Sequence, residues 1–164
     1  MTTTAELLVD GLERVRQAVH DVLDGLPDDA LTTRIGPDAN TIAWLLWHLT
    51  RVQDDHVSEV AGREQTWTAD GWAERLGLPE GDTGYGHTSA QVAGVHPTAD
   101  ELRGYHDAVS RASQAWVAGL HDADLDRVVD EAYDPPVTLA VRLVSVLQDD
   151  LMHVGQAAFA KGVM

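Results

Sequence analysis

The chain has 164 residues, the length of a single domain, and 44% of them are hydrophobic, which is enough for a substantial core. Its 27 acidic and 11 basic residues give a net charge of −16, which argues against binding nucleic acid or an anionic membrane surface. There is no cysteine, so any metal site must use His, Asp or Glu. No apolar run is long enough to span a membrane, and the first residues lack a signal-peptide pattern. We therefore expect a soluble, cytoplasmic protein.

Apolar residues recur at steps of three and four in four segments. This period predicts four helices, near residues 4–25, 39–61, 98–120 and 136–160. Asn40 or Thr41 can cap the second helix and Gly62 can end it. Thr98 and Glu101 have the spacing of a capping box at the start of the third helix.

The fourth segment is apolar nearly all round, so we expect it to be the most buried of the four helices. Pro136 can occupy its first turn, because the missing N–H is not needed there. The pairs 128–129 and 137–138 are β-branched but too short to predict a sheet.

The connection between the second and third helices, residues 63–97, is unusually long for a helical bundle. It is rich in glycine, with short helical fragments expected near residues 72–76 and 89–95. A connection of this length lets the second and third helices run parallel. The sequence therefore predicts an all-α, single-domain four-helix bundle with one long crossover, covering residues 1–164.

Two histidines lie in the middle of very apolar helical segments, His48 in the second and His153 in the fourth. A buried imidazole needs a hydrogen-bond partner or a metal ion. Asp149 precedes His153 by four residues, so both side chains lie on one face of the helix. With His48 from a neighbouring helix, they would supply the three protein ligands of a catalytic metal site. The same set of two histidines and one carboxylate also suits the non-haem Fe(II) pattern. The alternative is a buried Asp149–His153 pair without metal.

Several other side chains compete as ligands on the same helices: Asp54, Asp55, His56 and Asp150. Asp55 is too far along its helix from His48 to share one metal ion. His87 lies in the glycine-rich string GYGHTS of the long connection and could approach the site, although nothing in the pattern requires it.

Two stretches resemble the DinB-like superfamily of bacterial metal-binding four-helix bundles, to which the metal-binding domain of mycothiol-dependent maleylpyruvate isomerase is related. They are NTIAWLLWHL at residues 40–49 and DDLMHVGQA at residues 149–157. A third, weaker match is GLPDDAL at residues 25–31, and the resemblance covers nearly the whole chain. It implies a divalent-metal site, often zinc or nickel, whose ligands fall on His48, Asp149 and His153. Many members have His where this chain has Asp149.

The resemblance also implies an activity. Several relatives look like metal-dependent S-transferases or isomerases that use a low-molecular-weight thiol such as mycothiol or bacillithiol, and a hydrolase is a related expectation. The long connection, with Trp67, Trp72 and Tyr85, would form a lid. Arg51 is a candidate to bind a substrate carboxylate, and the alternative for it is an intrahelical ion pair with Asp54 or Asp55.

Two further hypotheses concern function and assembly. A metal-binding or stress-related bundle without catalysis is the main alternative to an enzyme. The apolar fourth helix suggests a homodimer, because the buried surfaces of homodimers resemble a protein core.

Overall fold

A computed structural model describes residues 1–164, and its architecture is mostly helical with one small two-stranded sheet. The helices are α1 Thr4–Leu23, α2 Asp28–Leu31, α3 Ile42–Ala61, α4 Thr66–Ala69, α5 Trp72–Leu76, α6 Ser89–Ala93, α7 Ala99–Val117 and α8 Leu139–Val163. The strands are β1 Val128–Asp130 and β2 Val137–Thr138. None of the helices combines the length and the hydropathy that a membrane crossing requires.

The four long helices α1, α3, α7 and α8 form the predicted bundle, in which α1 and α3 each pack against both α7 and α8. The direction of each helix follows from residue pairs in contact along the interfaces. Helices α1 and α7 are antiparallel, as the pairs Glu13–Gln114 and Asp24–Arg103 show. Helices α1 and α8 are parallel, as shown by Gly11–Leu147 and Asp24–Lys161, and α3 and α8 are antiparallel, as shown by His48–His153 and His56–Arg142. These pairs make α1 parallel to α8, and α3 parallel to α7. The predicted crossover between the second and third long helices is therefore confirmed.

The ends of the helices follow local chemistry. Thr41 caps α3, with its hydroxyl oxygen accepting a hydrogen bond from the backbone N–H of Trp44 at 3.1 Å. Gly62 ends α3 with a φ of 65°, a left-handed conformation that favours glycine. Thr98 and Glu101 form the predicted capping box at the start of α7.

The prediction that the fourth long helix is the most buried is wrong. In α3, 15 of 20 residues are buried, whereas in α8 only 7 of 25 are. The reason is the long connection, which folds back so that its buried residues Trp67, Trp72 and Val92 join the same core as α3. No other element covers the outer face of α8, where Val144 and Phe159 are 58% and 64% exposed.

The connection is therefore not a lid along its whole length. Trp67 is fully buried and Trp72 is 9% exposed, and both pack on Tyr105 of α7. The expected lid role is wrong for these two tryptophans, because they are part of the bundle core. Only the tip around Tyr85, which is 93% exposed, projects into solvent.

The start of α8 also differs from the prediction. Residues Val137–Thr138 pair with Val128–Asp130 in an antiparallel ladder, so the chain is extended where the helix was expected to begin. Thr138 then caps α8, and Pro136 lies outside the helix rather than in its first turn. The sequence pattern missed this hairpin because its strands are only three and two residues long.

Candidate metal centre

His48, Asp149 and His153 converge between α3 and α8. Each offers one nitrogen or oxygen atom, and these three atoms lie within 4.8 Å of one another. The two imidazole rings are 4.9 Å apart between centroids, and Nε2 of His153 lies 3.5 Å from Oδ1 of Asp149. Two ligands of a tetrahedral zinc ion are separated by about 3.4 Å when each bond is about 2.1 Å. The spacing of this pair therefore fits a shared divalent ion.

His48 is oriented by the long connection. Its Nδ1 lies 2.5 Å from the carbonyl oxygen of Thr83, which makes Nδ1 the protonated nitrogen and the hydrogen-bond donor. Nε2 is then the free nitrogen, and it lies on the opposite side of the ring. Metal-binding histidines are commonly fixed in this way, with one nitrogen donating to a backbone carbonyl and the other facing the ion.

His153 has the same arrangement with a side-chain partner. Its Nδ1 lies 2.9 Å from Oε1 of Gln156, one turn further along α8, and its Nε2 faces Asp149. The second carboxylate oxygen of Asp149, Oδ2, is buried without a hydrogen-bond partner. A buried carboxylate oxygen without a partner is costly, and a cation would remove that cost. The donor set and this unpaired oxygen both fit a divalent metal.

The electrostatics of the two histidines differ. Burial lowers the pKa of His48, because the charged imidazolium is poorly solvated there. The hydrogen bond with Asp149 raises the pKa of His153, against the opposing effect of burial. With both imidazoles neutral, one carboxylate and a divalent ion leave a net charge of +1, which favours an anionic fourth ligand.

The loop at residues 82–88 packs directly on this centre. Gly84 has a φ of +86°, and a Cβ at that position would lie 2.9 Å from Nδ1 of His48 and from the ring of Trp47. Only glycine combines this backbone conformation with this close approach. The carbonyl that holds His48 therefore depends on the glycine that follows it.

His87 and Asp82 support the centre through a tryptophan. The ring of Trp44 stacks on His48 with centroids 4.5 Å apart and an interplanar angle of 14°. Its indole N–H donates to Nδ1 of His87 at 3.1 Å, and Nε2 of His87 in turn donates to the carboxylate of Asp82 at 2.9 Å. Sequence reasoning left His87 undecided and did not single out Asp82. The signal available was the string DTGYGH, in which two glycines precede a histidine within three residues.

Arg51 lies away from solvent. It is 1% exposed, its Nε donates to the carbonyl of Asp82 at 2.9 Å, and Nη1 donates to the hydroxyl of Tyr105 at 3.2 Å. Nη1 is also 3.7 Å from the carboxylate of Asp54, the intrahelical pair that was the alternative reading. The geometry thus gives no support to the expected substrate contact, because the guanidinium is buried and ties the connection to the bundle.

None of the competing ligands belongs to the cluster of His48, Asp149 and His153. Asp55 accepts a hydrogen bond from Gln65 at 2.6 Å, and Nδ1 of His56 is 2.7 Å from the guanidinium of Arg142. Asp150 is fully buried on the core side of α8, and both its oxygens lack partners. Burial raises the pKa of Asp150 well above its usual value, because the charged carboxylate is poorly solvated there.

Comparisons with known proteins agree with this architecture. The family model of the DinB superfamily matches residues 11–157. The chain is also similar to the crystal structure of a conserved protein from Enterococcus faecalis, with a TM-score of 0.91 and 26% sequence identity. That alignment covers 98% of this chain and 96% of the other. A search of curated proteins finds no match.

Proposed function

The chain belongs to the DinB superfamily, and from that premise we propose that it is a metal-dependent enzyme transferring a low-molecular-weight thiol of the mycothiol type. The observation that carries the proposal is the donor set on α3 and α8. Three side chains from two helices bring two imidazole nitrogens and a carboxylate oxygen within 4.8 Å of one another. Three protein ligands leave at least one coordination position open, as in catalytic rather than structural zinc sites.

Zinc or nickel is the metal that we propose here, on the family resemblance, and the same set of two histidines and one carboxylate also suits non-haem Fe(II). Imidazole nitrogen and carboxylate oxygen bind both ions, and the chain has no thiolate that would select copper(I) or an iron–sulfur cluster. His48, Asp149 and His153 would hold the ion, with Thr83 and Gln156 fixing the two rings. When bound, such an ion lowers the pKa of a thiol that reaches it and so favours the thiolate near neutral pH.

The reaction proposed is a group transfer. The thiol sulfur forms a bond to an electrophilic carbon of the acceptor, the bond from that carbon to its leaving group breaks, and the thiol proton passes to water. The protein contributes position and surroundings. His48 is 7% exposed and is covered by the ring of Trp44, so one side of the centre is closed to water by apolar surface.

One observation favours the alternative of a metal-binding or stress-related bundle without catalysis. The nearest ionisable groups beyond the three ligands are occupied, since His87 bridges Trp44 and Asp82. Arg51 is likewise engaged in the core. His87 and Arg51 are therefore not free to assist an acceptor, and activation would have to come from the centre itself.

A turnover assay distinguishes a thiol-transferring enzyme from a metal-binding bundle without catalysis. Zinc- or nickel-loaded protein is incubated with mycothiol, bacillithiol or cysteine and with the neutral electrophile monochlorobimane, and conjugate formation is followed by fluorescence. We expect conjugation with at least one thiol, and its loss in His153→Ala but not in His56→Ala, which changes a histidine outside the centre. Metal-loaded protein that conjugates none of the thiols would favour the non-catalytic bundle.

A further inference from the structure

A groove runs beside the metal centre, between α8 and the segment that leads from α2 into α3. It has a volume of about 580 Å³, within the range of ligand pockets in proteins. The residues that line it are Ile35, Ala39, Asn40, Leu45, Met152, Gly155, Gln156, Phe159 and Ala160. Met152 and Phe159 are 54% and 64% exposed, so large apolar side chains face solvent across an open groove.

The groove contains no charged side chain, although 23% of the residues in the chain are charged. The cations nearest in sequence are engaged elsewhere. Arg34 donates to the backbone carbonyls of Ala39 and Ser89, and Lys161 donates to the carbonyls of Asp21 and Asp24. An anionic ligand would therefore find no cation in the groove and would also be repelled by the net charge of −16.

Gln156 connects the groove to the metal centre. Its Oε1 accepts the hydrogen bond from Nδ1 of His153, and the same side chain lines the groove. Nδ1 of His153 thus lies one hydrogen bond away from the groove wall. Asn40, on the opposite wall, adds a second neutral amide, so the polar contacts available to a ligand are uncharged.

We infer that this groove binds a neutral, predominantly apolar small molecule and holds it next to the metal centre. The inference rests on the proposed function only in naming this molecule as the acceptor of the thiol. The apolar walls supply affinity, and the amides of Asn40 and Gln156 orient the bound molecule. A hydrophilic thiol would approach the centre from outside the groove.

The test uses a neutral fluorescent probe, N-phenylnaphthylamine, titrated into the 164-residue protein. Gly155 lies in the groove, and a Cβ built on it meets no atom within 4 Å, so a larger side chain there fills the groove without a clash. We expect Gly155→Phe to weaken probe binding about tenfold, because a phenyl ring occupies the apolar surface that the probe would bury. Phe159→Ala removes part of the wall and should weaken binding about threefold.

Gly162→Phe is the matched control, because Gly162 is also on α8 with no atom within 4 Å of its added Cβ, and it does not line the groove. Its affinity for the probe should match that of the unchanged protein. Anilinonaphthalene sulfonate, a related probe with a negative charge, should bind at least about tenfold more weakly than the neutral probe.

Equal weakening by Gly155→Phe and Gly162→Phe, or preference for the anionic probe, would overturn the inference. Metal content is measured on the same samples and should stay unchanged in Gly155→Phe. Probe binding requires neither thiol nor turnover. The titration therefore tests ligand binding in the groove independently of the proposed transfer reaction, which the conjugation assay tests.

Discussion

His106 shows how a single buried residue makes stability depend on pH. It is 1% exposed, Nδ1 lies 3.0 Å from the hydroxyl oxygen of Thr50, and Nε2 has no partner. The hydroxyl of Thr50 donates its proton to the carbonyl of Leu46, so it accepts a hydrogen bond from Nδ1 of His106. The neutral ring is therefore the tautomer with its proton on Nδ1. Burial lowers the pKa of His106 from 6.5 to about 4.

We predict that this histidine destabilises the fold as the pH falls from about 6.5 to 4. In that range the unfolded chain binds a proton at this residue and the folded chain does not, so the free energy of unfolding falls. The loss at pH 4 is roughly 3 kcal/mol, since one pKa unit corresponds to about 1.4 kcal/mol. Urea unfolding at several pH values should show a flatter pH dependence for His106→Asn than for the unchanged protein.

The control for this experiment is His121→Asn, because His121 has a side chain that is 87% exposed. Its stability should follow that of the unchanged protein at every pH. Parallel curves for His106→Asn and the unchanged protein would show that His106 does not carry this dependence.

The cluster of side chains at the candidate centre could be predicted from sequence because their positions follow helical periodicity. Asp149 and His153 share a face at a spacing of four residues, and His48 lies inside an apolar run. Thr83 and Gly84 could not be predicted, because they reach the centre through a loop whose path no periodicity encodes. The burial of His106 was harder to predict, because polar residues stand close to it in the sequence. Its spacing from Leu102 and Val109 nevertheless places it on the inner face of α7.

At the scale of elements, α8 differs from the other long helices on its outer face. None of its exposed residues is charged, whereas α1 exposes Asp10 and Arg14, α3 exposes Glu59 and α7 exposes Arg111. In a chain with a net charge of −16, this is the helical face where two copies meet with the least repulsion. We propose that a second copy of the chain covers it.

The first half of α8 is the part that we assign to this contact. Val144 and Leu151 are 58% and 49% exposed there, and Leu7 of the adjacent parallel helix α1 adds a third apolar side chain at 63%. The groove beside the metal centre lies along the second half and stays open. A two-fold symmetric contact would bury the same side chains in both copies.

Sedimentation velocity at tens of micromolar protein tests this arrangement. We expect a mass about twice that of the 17.8 kDa chain, and a shift to the monomer in Val144→Glu, which places two like charges at the contact. Gln17→Glu adds the same charge on the exposed face of α1 and should leave the mass unchanged. A monomer for the unchanged protein would contradict the proposal.

The bundle topology could be predicted for the whole molecule because four amphipathic segments and one long connection admit few arrangements. The relative burial of the helices could not be predicted, because hydrophobicity alone predicts that α8 is more buried than α3. What decides burial is the layer formed by the connection, whose residues Trp67 and Trp72 complete the core around α3. That layer also brings Thr83 to His48, so the fold of the connection and the geometry of the metal centre depend on each other.

The central claim is that His48, Asp149 and His153 hold one divalent ion. Metal content by elemental mass spectrometry, after loading with zinc or nickel and removal of free ion, tests it most directly. We predict about one ion per chain for the unchanged protein and for His56→Ala, and less than about a tenth of that for His48→Ala and His153→Ala, because two protein ligands hold zinc weakly. Circular dichroism should show intact helices in all four proteins, since the bundle core is apolar. Full metal content in both His48→Ala and His153→Ala would contradict the account.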